Sequence, residues 1–173
     1  ITPASIKAFT HKYKKILIIH FDAHADLRNS YNGEKFSHAS AIRRCLDYKN
    51  VSVISLGIRN LSQLEMDFYK KNKNRIKIFW GKDKKSWNLK DIINLCKRKN
   101  VYITFDVDSL DSSIMPATGT PEPGGLLWEE VLPILKKICE SSNIIGADIN
   151  ELAPIKNFDS YNFLVAKLVY KIL

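Results

Sequence analysis

Five short apolar runs rich in β-branched residues punctuate the chain, at 16–21 (ILIIHF), 51–56 (VSVISL), 76–80 (IKIFW), 101–105 (VYITF) and 144–149 (IIGADI). They are continuous rather than alternating, which predicts strands buried on both faces. Between them the apolar residues space themselves at helical intervals, as in Leu89, Ile92, Ile93 and Cys96. The pattern predicts helices near 2–13, 38–48, 61–73, 89–99, 127–141 and 160–172, the first with Thr2 as N-cap and Pro3 as first helical residue. Strands alternating with helices predict βαβ units, a parallel sheet and one α/β domain over residues 1–173. The longest irregular stretches are 27–36 and 109–126, and long loops after strands tend to carry function.

What the strands deliver at their carboxyl ends matters most, because parallel sheets place ligands there. The first ends in Asp22-Ala23-His24-Ala25-Asp26, the fourth in Asp106-Val107-Asp108, and the fifth in Asp148-Ile149-Asn150-Glu151. Read as strand residues, Asp22 with His24 and Asp106 with Asp108 would share faces. Gathered carboxylates repel and are costly to bury unpaired, so a cation is the natural compensation. Four or five carboxylates with one imidazole suit a hard or borderline divalent ion, Mn²⁺ ahead of Zn²⁺ or Fe²⁺. A rival is the aspartate-nucleophile motif of haloacid-dehalogenase-like phosphatases, which ITFDVDSLD resembles. That motif wants Gly-Thr after its second Asp, where this chain has Ser109-Leu110.

Composition narrows the class without deciding it. Apolar residues at 45% and aromatics at 10% supply a core and exclude a disordered chain. No run reaches the roughly 18 residues of a membrane span, and no leader opens the sequence. Cys45, Cys96 and Cys139 are too few and too scattered for a disulfide framework, which points to a reducing, cytoplasmic setting. Net charge is +9, concentrated in 70–99, where twelve basic residues face Asp83 and Asp91; the rest of the chain is at −1. The basic residues spread over a strand, a loop and a helix and form no recognition motif, so a solvated surface is the reading and nucleic acid is not an expected partner.

The segments HFDAHADLR (20–28), SHASAIRR (37–44), TFDVDSLDSSIMPATGTPEPGG (104–125) and DINELAP (148–154) together resemble the ureohydrolase family of arginases and agmatinases, most closely the agmatinases. The motifs stand in the family's order along the whole chain. The resemblance implies a three-layer α/β/α sandwich with a parallel sheet, of which this chain is the C-terminal part of the catalytic domain. It implies two Mn²⁺ ions bridged by a hydroxide that attacks a guanidinium carbon, yielding urea and an amine; with agmatine the amine is putrescine, which links the chemistry to polyamine biosynthesis. Asp22 and Asp106 would bridge the ions, His24 and Asp108 would complete one site, and Asp26 would belong to the other. The His of that second site comes from a Gly-Gly-Asp-His-Ser motif that these residues lack, so the chain is expected to begin just after it. Asp26 would also orient the hydroxide, Glu151 would grip the guanidinium and His38 would move a proton to the leaving amine. A trimer or hexamer is the implied assembly, without membrane contact. Arginine, guanidinobutyrate and formiminoglutamate are alternative substrates, and an inactive chain short of one ligand is the non-enzymatic alternative. His20 reads as a packed core residue, His11 as surface and Asp111 as a loop-ordering acceptor.

Overall fold

A computed structural model describes all of residues 1–173. Five strands, β1 (Ile16–Phe21), β2 (Val51–Ile58), β3 (Ile76–Trp80), β4 (Asn100–Asp106) and β5 (Asn143–Asn150), form one all-parallel sheet in the order β3-β2-β1-β4-β5. The helices are α1 (Thr2–Thr10), α2 (Ala41–Cys45), α3 (Gln63–Lys71), α4 (Leu89–Cys96), α5 (Trp128–Ser141) and α6 (Ser160–Ile172). None of them is long and apolar enough to cross a membrane.

Two separate apolar clusters identify the layers. Leu17, Ile19 and Phe21 of β1 pack with Ile92 of α4, Val131 and Ile138 of α5, and Leu168 of α6. Ile16 and Ile18, pointing the other way, pack with Ile6 of α1 and Ile42 of α2. The period-2 alternation of a strand therefore feeds two cores from one run of apolar residues, which is why the run is continuous. The three-layer α/β/α architecture follows. β5 departs from the pattern: expected to be buried on both faces, it is half-exposed along its length because it forms the edge of the sheet.

Several helices are shorter than their periodicity implies, and the reasons are local. The stretch 38–48 splits into a 3-10 turn at His38–Ser40 and the short α2. The Arg43 N–H, which would bond the Ala39 carbonyl in a continuous helix, donates instead to the Asp26 carbonyl at 2.9 Å, while Ala39 accepts from Arg28 N–H at 3.2 Å. Helix bonds are thus exchanged for bonds to the 22–28 loop. α3 starts at 63 because Ser62 caps it, with Glu65 completing the reciprocal capping box. Thr2 is no cap; its hydroxyl lies 3.2 Å from that of Thr104 on β4, tying α1 to the sheet.

The basic segment is a surface, as its spread suggested. Trp87 packs edge-on to Phe79 with centroids 5.9 Å apart and donates to the Trp80 carbonyl at 3.1 Å. Lys84 pairs with Glu130 at 2.8 Å. Cys45 and Cys96 are buried and Cys139 half-buried, all as free thiols.

Candidate metal centre

The connections from β1 run outward through β2 to β3, and the chain then returns to place β4 on the other side of β1. The topology thus switches direction between β1 and β4, and a crevice opens there beyond their carboxyl ends. A cavity of about 300 Å³ occupies this position, lined among others by Asp22, His24, Asp26, Asp106, Asp108, His38 and Glu151. Every expected site residue faces this one cavity.

The convergence is built by turns, not by strand alternation. Asp22 and His24 lie past the end of β1, and Asp108 sits in a 3-10 turn, Val107–Ser109, after Asp106 ends β4. Asp22 with His24 and Asp106 with Asp108 therefore do not meet through a shared strand face, and hydrogen bonds hold them instead. Asp106 Oδ1 accepts from Asp108 N–H at 3.0 Å, and Asp108 Oδ1 accepts from Ala23 N–H at 3.0 Å, linking the two strand ends. Asp22 Oδ1 accepts from His24 N–H at 2.6 Å. Gly57 stands at φ +99°, and a Cβ there would meet the Asp22 carbonyl at 3.1 Å, so β2 approaches this turn closely only because it has no side chain at that point.

Ligand atoms of Asp22, His24 and Asp108 lie within 4.8 Å of one another, and so do those of His20, Asp22 and Asp26. The two trios share Asp22. His24 Nδ1 is 2.9 Å from Asp108 Oδ2 and 3.5 Å from Asp22 Oδ1. Asp106 belongs to neither trio but lines the same cavity. Asp26 is held in the left-handed region at φ 53°, and Glu151, just after β5, at φ 64°. Such conformations cost energy in non-glycine residues and collect at functional positions. His38 and Glu151 are exposed on the cavity wall, with the Tyr31 ring edge-on to His38 at 5.6 Å.

The electrostatics are those of too many acids in one place. Burial, then the charges of Asp22 and Asp108, pushes the Asp106 carboxyl up to about 11. Burial and the Asp22 charge push Asp26 well above the usual range, and burial raises Asp108 despite its bond from His24. Asp22 is the exception: burial opposes its ionisation, yet the His20 ring and hydrogen bonds from His20 and His24 hold it below the usual range. His24 is raised to about 10, first by its bond to Asp108 and then by that to Asp22. Four carboxyls crowded together, with the imidazoles of His20 and His24 against them, favour added positive charge. That donor set, oxygen-rich with imidazole, fits a divalent cation.

The supporting residues carry no signal of that role in the sequence. Glu65, only 4% exposed, accepts from Leu27 N–H at 3.0 Å and steadies the loop after Asp26. Arg59 donates to the Glu122 and Pro123 carbonyls and Asn60 to the Glu122 carboxylate, which braces the 109–126 loop. His20, read as core, is indeed buried, but its Nε2 lies 2.7 Å from Asp22 Oδ2. Asp111 does order its loop, accepting from Ser113 and from Gly125 N–H at 2.8 Å.

The arginase family model matches residues 1–173. An N(1)-aminopropylagmatine ureohydrolase of Synechocystis is 35% identical over 90% of this chain and 51% of its own length. An agmatinase of Halalkalibacterium halodurans is 39% identical over 86% of this chain and 50% of its own. A solved formimidoylglutamase from Bacillus subtilis superposes on 99% of this chain with a TM-score of 0.86 and 29% identity, covering 56% of that structure. The chain spans about half the length of the curated relatives it matches.

Proposed function

The chain belongs to the arginase family, and from that premise we propose that it carries the site of a manganese-dependent amidinohydrolase acting on agmatine. The observation that supports this most directly is the meeting of Asp22, His24, Asp26, Asp106 and Asp108 in one cavity at the switch point, with three of the carboxyls pushed upward. Asp22, His24, Asp106 and Asp108 would hold one ion; Asp22, Asp26 and Asp106 would contribute to a second. When bound, such ions supply hydroxide at neutral pH and a Lewis acid.

The remaining roles belong to this chain's side chains. Glu151 projects from a constrained backbone at the mouth, where a carboxylate can grip a planar guanidinium through two parallel hydrogen bonds. His38, exposed on the wall, can carry a proton to the departing amine. Asp26, which lines the same cavity, would orient the attacking water. The relatives named above act, by their names, on agmatine, aminopropylagmatine and formimidoylglutamate, which differ in the tail. The agmatinase-like motifs favour agmatine.

Because the second ion's imidazole is not among the expected ligands of these residues, the 173-residue chain should retain nearer one Mn²⁺ than two after exhaustive dialysis, measured by elemental analysis. Retention of two would show a complete binuclear site. Urea release from agmatine by these 173 residues alone should be far below that of the H. halodurans relative under the same conditions, since a metal pair held by one ligand fewer supplies hydroxide less well. Comparable rates would overturn the incomplete-site reading, and activity on formimidoylglutamate but not agmatine would overturn the substrate.

A further inference from the structure

His20 is the buried polar side chain that the proposed chemistry leaves unused. It lies on β1, is 2% exposed, and shares the face of the strand that buries Ile16 and Ile18. An imidazole in such surroundings is costly unless both nitrogens are satisfied. Both are: Nε2 lies 2.7 Å from Asp22 Oδ2, and Nδ1 lies 3.1 Å from the hydroxyl of Ser55 on β2. Ser55, directly across in the β1–β2 register, is itself only 3% exposed. A chain of three side chains thus runs from the middle of the sheet to the shared member of the two ligand trios.

The direction of the bonds is set by Asp22. An ionised carboxylate only accepts, so Nε2 must carry the hydrogen. Ser55 can then donate to or accept from Nδ1, and its hydroxyl suits the ring in either state. The other Asp22 oxygen is fixed by His24 N–H at 2.6 Å. With one bond at each oxygen, the carboxylate plane is fixed, and Asp22, which lines the cavity, keeps further lone pairs.

We propose that His20, held by Ser55, is a positioning residue that fixes the Asp22 carboxylate for cation binding. This rests on the metal-site reading above and adds a residue to it. Partners that hydrogen-bond a ligating carboxylate typically change metal affinity by about 10- to 100-fold when removed. They do so without contributing a ligand.

The test is Mn²⁺ binding by calorimetry to the 173-residue chain and to His20→Leu, His20→Gln and Ser55→Ala, each checked for a cooperative melt in chelator. His20→Leu should weaken binding about 10- to 100-fold with unchanged stoichiometry. His20→Gln, whose amide N–H can reach the same oxygen, should recover most of the loss. Ser55→Ala should lose severalfold, and it carries the test if the Leu variant fails to fold. Unchanged affinity in both His20→Leu and Ser55→Ala overturns the proposal while leaving the metal site standing. A lost ion in both His20 variants overturns it by making His20 a ligand. Absence of Mn²⁺ binding by the unaltered chain sinks the metal-site reading itself.

Discussion

Asp106→Asn should melt higher than the unaltered chain in chelator at pH 8, yet bind Mn²⁺ more than ~100-fold more weakly, beyond the loss typical of an outer partner. Both effects come from one property. The Asp106 carboxyl, pushed up to about 11 by burial and then by Asp22 and Asp108, resists ionisation in the folded chain, whereas in the unfolded chain it ionises near 4. The folded state therefore binds the extra proton between those values, and stability falls as pH rises through that window by at most about 1.4 kcal/mol per unit. His24 acts in the same direction. Its pKa is raised to about 10, so its contribution is complete below about 6.5 and is lost as pH climbs toward 10. Metal-free chain should thus lose melting temperature steadily from pH 5 to pH 9. Asn at 106 removes the larger source of that slope, on the order of a few kcal/mol by pH 8. It also removes the charge that would face two cations, so metal rescue of the melt should nearly vanish. A pH-independent melt for the unaltered chain, or full Mn²⁺ rescue of the variant, would contradict the account.

The residues that the sequence exposes most readily are those whose type alone is unusual. Asp22, His24, Asp106 and Asp108 at strand ends stand out because charge after an apolar run needs a reason, and the cavity brings them together. The three-layer architecture was legible for a related cause: continuous apolar runs make sense only for strands covered on both sides. What could not be read is how the groups converge. Strand alternation suggests that Asp106 and Asp108 share a face, but Asp108 reaches the cavity through a 3-10 turn and a bond from Ala23 N–H. The edge position of β5 was hidden because its composition matches that of central strands, and only the strand order reveals its exposure. α2 is short because Arg43 N–H serves Asp26, a long-range bond with no local signature. His20 looked like core because it is core; its second character, a bond to Asp22, depends on a pair of atoms that periodicity does not describe.

Arg59→Ala should cost about 3 kcal/mol or more in chemical denaturation. The Arg59 guanidinium donates to the carbonyls of Asp108 and Glu122 at 2.7 Å each, Pro123 at 3.0 Å and Gly57 at 3.1 Å. Its own N–H bonds the Ala23 carbonyl at 2.8 Å. One residue just after β2 therefore joins the Asp22–His24 turn, the Asp108 turn and the 120–125 loop, adding to the isolated bridges His24–Asn60 and Leu110–Leu126. Hydrogen bonds from a charged donor contribute about 1.5–3 kcal/mol each, and the carbonyls left behind lose their partners. Lysine should not restore stability, because a point charge on a flexible stem cannot serve four carbonyls arranged around a planar fork. The backbone bond survives in both variants, so β2 should stay in place while the 107–125 region loosens. Hydrogen exchange should then rise at Leu110 and Gly125, and Mn²⁺ affinity should fall because Asp108 is no longer held against His24. An Arg59→Lys chain with unaltered stability and exchange would mean that the loop is held by its own contacts, of which the bond from Gly125 N–H to Asp111 is the strongest candidate.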